Sequence, residues 1–317
     1  SACEKGAQWQ RALSLFDGMQ KARIQPDVIS FSTTISACEK GAQWQRALSL
    51  FDGMQKARIQ PNVISFSATI SACEKGAQWQ RALSLFDGMQ KARIQPDVIS
   101  FSATISACEK GAQWQRALSL FDGKEKARIQ PNVISFNATI SACEKGAQWQ
   151  RALSLFDGMQ KARIQPTVIS FSATISACEK GAQLQRALSL FDGMQKARIQ
   201  PDVISFSATI SACEKGAQWQ RALSLFDGMQ KARIQPTVIS FNATISACEK
   251  IAQWQRALSL FDGMQKARIQ PDVISFSTTI SACEKGAQWQ RALSFFDGMQ
   301  KARIQPNVIS FNATIHA

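Results

Sequence analysis

Tyrosine is absent from this 317-residue chain, histidine occurs once, as His316, and no two cysteines form a CxxC pair. A single histidine leaves no nucleophile–histidine–acid set, and without CxxC pairs or further histidines zinc ligation has no support. No phosphate-cradling glycine loop is present either. The chain thus carries no catalytic constellation, no metal set and no cofactor signature. No apolar run approaches the roughly 18 residues that a membrane span requires. Negative charge is scarce as well: 23 Asp and Glu stand against 37 Lys and Arg, a formal net charge of +14. Such a surplus favours polyanionic partners, nucleic acid among them.

What is present is repetition. The nine cysteines, Cys3, Cys38, Cys73, Cys108, Cys143, Cys178, Cys213, Cys248 and Cys283, stand 35 residues apart. One cysteine per period reads as a small buried apolar residue. The whole chain repeats with it, as VISFSATISACEKGAQWQRALSLFDGMQKARIQPD. Eight complete repeats run 28–62, 63–97, 98–132, 133–167, 168–202, 203–237, 238–272 and 273–307, between partial repeats 1–27 and 308–317. A fixed period with no linker and no shift in composition marks one array of supersecondary units.

Each repeat reads as two helices. Val28, Phe31, Ile35 and Cys38 recur at helical spacing behind Asp27, whose side chain suits an N-cap. Gly41 allows a turn; Trp44, Ala47, Leu48, Phe51 and Met54 then mark a second helix, which Pro61 stops. The tryptophans share the packing stripe of that helix, so core packing is expected of them rather than base stacking. Two helices cannot bury their apolar faces alone, so neighbouring repeats must stack into an all-α solenoid. At about 100° per residue, Ile29, Ser32, Ser36 and Lys40 share an arc away from the core stripe. Stacking turns that arc into a groove edged by Lys40, Lys75, Lys110, Lys145, Lys180, Lys215, Lys250 and Lys285, candidates for phosphate contact. Two departures stand out. Ile251 replaces the turn glycine, which is costly if that glycine adopts positive φ, and Lys124-Glu125 replaces Met-Gln with no functional reading.

The repeat resembles the pentatricopeptide repeat. The matching residues are Val28-Ile29-Ser30-Phe31, Ile35, Ala47-Leu48, Leu50-Phe51, Met54 and Ile59-Gln60-Pro61-Asn62. The tetratricopeptide repeat differs: its period is 34, with Trp, Leu-Gly and Tyr in its first helix. The resemblance implies a right-handed, TPR-like superhelix that binds single-stranded RNA, one base per repeat, with its N-terminus toward the RNA 5′ end. It also implies a part in RNA processing, stability, editing or translation in a chloroplast or mitochondrion. Neither a membrane nor a small-molecule substrate belongs to that expectation.

In that family the fifth and last residues of a repeat read the base. Here they are Ser32 with Asn62, Ser67 with Asp97, Ser102 with Asn132, Asn137 with Thr167, Ser172 with Asp202, Ser207 with Thr237, Asn242 with Asp272 and Ser277 with Asn307. The second residue wedges between bases: Ile29, Ile64, Ile99, Ile134, Ile169, Ile204, Ile239, Ile274 and Ile309. A carboxylate suits guanine or uracil, which present N–H groups; an amide admits adenine or cytosine. A short Ser leaves room for a purine, and Asn favours a pyrimidine. The resulting expected site is 5′-AGA(C/U)G(purine)UA-3′. The alternative is a helical scaffold for proteins or peptides, in which Asp, Asn and Thr vary only as equivalent N-caps.

Overall fold

A computed structural model describes residues 2–317, apart from the side chains of residues 2–8, Glu125 and Lys126; Cys3 thus lies outside the described side chains. The described residues form eighteen α-helices and no strand. Each complete repeat is a hairpin of two helices, such as Val28–Lys40 with Trp44–Lys56 and Val63–Lys75 with Trp79–Lys91. The chain divides into two compact units, Ser1–Gln165 and Pro166–Ala317. Among the described residues no helix is long and apolar enough to cross a membrane.

Within each unit the same packing recurs. A first helix packs on the second helix of its own repeat and on the first helix of the next, as Val28–Lys40 does on Trp44–Lys56 and Val63–Lys75. The second helix also reaches the following first helix, whereas no second helix packs on another among the described residues. First helices therefore form a continuous row in each unit. Clefts open on the other side, one of about 580 Å³ lined by Phe191, Arg198 and Arg221.

The seams are apolar. In the first unit Ile35, Cys38, Ala47 and Phe51 bury themselves with Phe66 and Met89, from the next repeats. Phe51 and Phe66 meet edge to face with centroids 4.8 Å apart, and Phe86 and Phe101 repeat the contact at 4.8 Å. Full burial of such a side chain stabilises by about 1.5–3 kcal/mol, and edge-to-face pairing adds about 1. Cysteine is part of this core: the eight described thiols are buried and unpaired.

The first helix ends differently from the sequence expectation. Gly41 has φ −81°, and the left-handed residue is the following Ala42 at φ 56°. Glycine is required for a different reason. A Cβ on Gly41 would stand 2.3 Å from Trp9, and one on Gly76 would stand 2.3 Å from Trp44. The tryptophan of one repeat lies flat against the turn of the next. Ile251 is therefore not strained through φ; it occupies the close approach, and its helix ends one residue early, Val238–Glu249. The second helix closes with Ile59 N–H bonded to Met54 C=O and Arg58 N–H to Gln55 C=O, which places Arg58 at φ 57°. This is the Schellman pattern, with arginine where glycine is usual.

Candidate nucleic-acid interface

The residue that ends each repeat is the N-cap of the next first helix. Asp97 Oδ1 accepts the Ser100 N–H at 2.7 Å, Asn132 Oδ1 accepts that of Ser135 at 2.8 Å, and Asp202 Oδ1 accepts that of Ser205 at 2.8 Å. The third helical residue returns the favour, its Oγ accepting the N–H of Asn62, Asp97, Asn132 or Asp202 at 2.8–3.0 Å. The pair forms a capping box with Ser in the place of Glu.

The fifth residue of a repeat meets that cap. Ser67 Oγ lies 3.1 Å from Asp97 Oδ1, Ser102 Oγ 3.4 Å from Asn132 Oδ1, and Ser172 Oγ 2.9 Å from Asp202 Oδ1. Asn242 Nδ2 donates to Asp272 Oδ1 at 3.0 Å, and Ser277 Oγ lies 3.1 Å from Asn307 Oδ1. The two sets of residues singled out in the sequence thus meet in these five repeats. Asn137 belongs to one compact unit and Thr167 to the other; within its own unit Thr167 caps with Ser170. In two repeats the hydroxyl has no partner: Ser32 Oγ and Ser207 Oγ are buried without a hydrogen bond.

Depth departs from the expectation. The arc from Ile29 to Lys40 was read as one groove face, yet Ile29 is 69% exposed and Ser32 only 5%. Adjacent first helices close over the fifth residue, leaving it in the seam beneath the cap. The isoleucines stay outside: all nine are 53–69% exposed, whereas the other aliphatics of the first helix are buried or half-buried in most repeats. Within each unit one exposed isoleucine thus recurs on every first helix.

The lysine series is engaged. Lys110 pairs with Glu74 at 2.6 Å, Lys145 with Glu109 at 2.6 Å, Lys215 with Glu179 at 2.7 Å, Lys250 with Glu214 at 2.6 Å and Lys285 with Glu249 at 2.5 Å, and Lys75 pairs with Glu39. Several also donate to the carbonyl of that same glutamate, as Lys110 does at 3.1 Å. Each lysine caps the helix end of the preceding repeat, where the macrodipole favours a cation. Six of the eight lysines read as candidates for phosphate contact are thus ion-paired with a glutamate of the preceding repeat. In repeat 63–97 the other three basic residues, Arg81, Lys91 and Arg93, lie on the second helix or just after it and are exposed. The net charge of +14 thus resides mainly away from the first-helix row.

The tryptophans pack between repeats. Trp44 lies against Gly76 and under the Arg81 guanidinium, 6.0 Å from the ring centroid, and Trp79 sits likewise under Arg116 at 5.4 Å. Where Leu184 replaces Trp, Arg221 turns to Asp192 at 3.6 Å. Trp44 and Trp79 are thus engaged in packing, whereas Trp289 in the last complete repeat is 55% exposed.

Burial pulls the Asp272 carboxyl upward, but hydrogen bonds from the Ser275 N–H, Asn242 and the Ser275 hydroxyl outweigh it and hold Asp272 below its ordinary value. The carboxylate is thus kept ionised. Sequence reasoning missed the glutamate partners of the lysines and the place of Lys124. Glu39 and Lys75 are 36 residues apart, one period plus one, a spacing from which the bridge could have been read.

Helical hairpins stacked through their first helices within each unit, each with one exposed isoleucine, define a repeat solenoid. A model described as pentatricopeptide repeat domain matches residues 14–76, 84–146, 119–181 and 189–250, a PPR repeat family model matches 236–285, and a PPR repeat model matches 64–94, 169–199 and 274–304. The chain belongs to the pentatricopeptide repeat family. No curated protein sequence matches it. Among solved structures it is similar to the pentatricopeptide repeat protein PPR10 in complex with an 18-nt psaJ RNA element, at 17% identity and TM-score 0.66, over 97% of this chain and 50% of that one. PPR10 from maize alone gives 18% identity and TM-score 0.51, over 97% and 49%. The PPR domain of Arabidopsis thaliana protein-only RNase P 1, in complex with tRNA, gives 13% identity and TM-score 0.50, over 55% and 91%. The chain thus spans about half the length of PPR10.

Proposed function

We propose that the array binds single-stranded RNA sequence-specifically, one base per complete repeat, at 5′-AGA(C/U)G(purine)UA-3′. The observation that carries this reading is the contact between fifth and last residues, for instance Ser67 with Asp97 at 3.1 Å. Two side chains that vary between repeats, held together at the same point of five hairpins, suit a one-base-per-repeat reader.

The cap also supplies a chemical rule. Every described bond to the side chain of Asp97 or Asn132 ends on Oδ1. The second atom of the fork is what remains for a base. In Asp it is an acceptor for the N–H of guanine or uracil; in Asn it is an N–H donor for the ring nitrogen of adenine or cytosine. Thr237 commits its only side-chain oxygen to Ser240, leaving a methyl group and weak discrimination. The exposed isoleucines lie where bases would be separated, and stacking against such groups needs no sequence. An organellar role in RNA processing, stability, editing or translation follows from the family and is part of the same proposal. PPR10 bound to an RNA element supports RNA as the ligand.

The test is a titration with the expected 8-mer, its scrambled version and the DNA equivalent. Tighter binding to the expected RNA supports the reading. Equal binding to all three, or binding to peptides instead, rejects it.

A further inference from the structure

The side of each unit built by the second helices has a chemistry of its own. In repeat 63–97 every exposed residue from Gln80 to Gln95 is polar except Ala92. Three are cations, Arg81, Lys91 and Arg93, against a single acid, Asp87; the others are glutamine and serine. The same four charges recur in every complete repeat. On the first helices lysine is instead matched by glutamate, as Lys110 is by Glu74 at 2.6 Å. Positive charge therefore gathers on the second helices and the turns that end them.

The arginine that closes each second helix is kept there against local stability. All nine, from Arg23 to Arg303, have φ of 55–58°, a left-handed corner where glycine is the unstrained choice. All nine are exposed. A strained residue kept in every repeat points to a use beyond folding. Successive repeats also bring cations together. Arg128 and Lys161 line one cleft of about 660 Å³ with Asp122, and Arg198 and Arg221 line another of about 580 Å³ with Asp192. None of the described ion pairs involves Arg128, Lys161 or Arg198. Elsewhere the Trp44 ring holds the guanidinium of the exposed Arg81 at 6.0 Å, which orders it before any ligand arrives.

We infer that the second-helix face of each unit is a second nucleic-acid surface. It holds the phosphate backbone of a strand other than the one read at the first helices, without regard to base. Arginine, lysine, glutamine and serine are the side chains that contact phosphates, and nucleic-acid interfaces are polar and strongly basic. A protein partner would need aromatic or aliphatic anchors at the centre of its interface. Among the described residues, the second helices of complete repeats expose large hydrophobic side chains only at Trp289 and Leu293, in the last one. The inference uses no fifth or last residue, so it stands apart from the base-reading proposal.

The experiment titrates a labelled 20-nucleotide oligouridine into protein already saturated with the unlabelled expected 8-mer, across a range of salt. The variant carries Lys56→Gln, Arg58→Gly, Lys91→Gln and Arg93→Gly together. It folds, because glutamine is a good helix former and glycine relieves the left-handed corners. The oligouridine should bind the saturated unaltered protein. In the variant its affinity at low salt should fall about 10-fold or more, and its log affinity against log salt slope should become shallower by about 2.8, four phosphates at about 0.7 each. The preference for guanine at the second base of the 8-mer should stay unchanged. No binding to the saturated protein, or an equal slope in both proteins, overturns the inference. Equally tight binding of a 20-residue oligoglutamate overturns it too, because the face would then be a general acidic-partner surface. Loss of the second-base preference in the unaltered protein overturns base reading alone, since the slopes are read on oligouridine.

Discussion

Asp97 Oδ1 accepts two hydrogen bonds, from the Ser100 N–H at 2.7 Å and from the Ser67 hydroxyl at 3.1 Å. One atom thus starts a helix and binds the fifth residue of the repeat before it. Capping and base reading are not rival explanations of the same variation, because they draw on different atoms of one side chain.

Asp97→Asn separates the two roles. Asn caps as well as Asp, so stability should change by less than about 0.5 kcal/mol. The second atom of the fork changes from acceptor to donor, so preference at the second base should move from guanine to adenine by about 10-fold, the worth of a hydrogen bond to a charged group. Asp97→Ala, by contrast, should lose about 1 kcal/mol of stability along with the preference. Titration of second-base variants alongside urea melts reads both, and an unchanged base order in Asp97→Asn would count against reading at this position.

The repeats and the two helices of each could be read from spacing, because helical periodicity and the N-cap preference are local, whereas the pairing of fifth with last residue came from the family resemblance. What lies between repeats could not. Ser32 shares an arc with Ile29 but is buried by the next first helix, and no single-repeat pattern records that neighbour. The ion pairs of the lysines were not read because their glutamates belong to the preceding hairpin. Gly41 was legible as a turn, but its cause, the Trp9 ring at 2.3 Å from a hypothetical Cβ, comes from another repeat. Lys124 was visible as a departure; only the packing shows that it ends under Ser102.

Charge along the first-helix row is the next test. Glu74 and Glu109 hold Lys110 and Lys145 at 2.6 Å, so a phosphate must displace a carboxylate to reach either amine. Exposed pairs of this kind are worth at most about 1 kcal/mol each. The double variant Glu74→Gln, Glu109→Gln should therefore fold, bind RNA more tightly at low salt, and steepen the log affinity against log salt slope by about 1.4, two phosphates at about 0.7 each. An unchanged slope would show that these lysines never meet phosphate.

Adjacent residues at the turn should respond with opposite signs. Ala77 sits at φ 55°, where an L side chain is strained, so Ala77→Gly should stabilise by about 0.5–1 kcal/mol. Gly76 has negative φ, but an added Cβ meets Trp44 at 2.3 Å, so Gly76→Ala should destabilise by about 1–3 kcal/mol. Ile251→Gly should stabilise and extend its helix through Lys250. Denaturant melts of the three variants check the signs; a stabilising Gly76→Ala would contradict the tryptophan contact.

Alkaline pH should unfold the array through its cysteines. Burial pushes six thiols, Cys73, Cys108, Cys143, Cys178, Cys213 and Cys248, from 9.0 up to about 11, while a nearby arginine pulls each slightly back. The folded values lie above the unfolded ones, so the folded state binds more protons in that window. The contribution is complete below pH 9 and is lost as pH rises toward 11, about 2–3 kcal/mol for each thiol. Lys124 has the opposite sign: its folded value is depressed, so its stability contribution rises with pH toward 10.5, but it is one group against six. Melting temperature should therefore hold near pH 8 and fall steeply between pH 9 and 11. Replacing Cys73 and Cys108 with Ala should flatten that fall while lowering stability at neutral pH. A fall of the same steepness in the variant would mean that the thiols do not carry it.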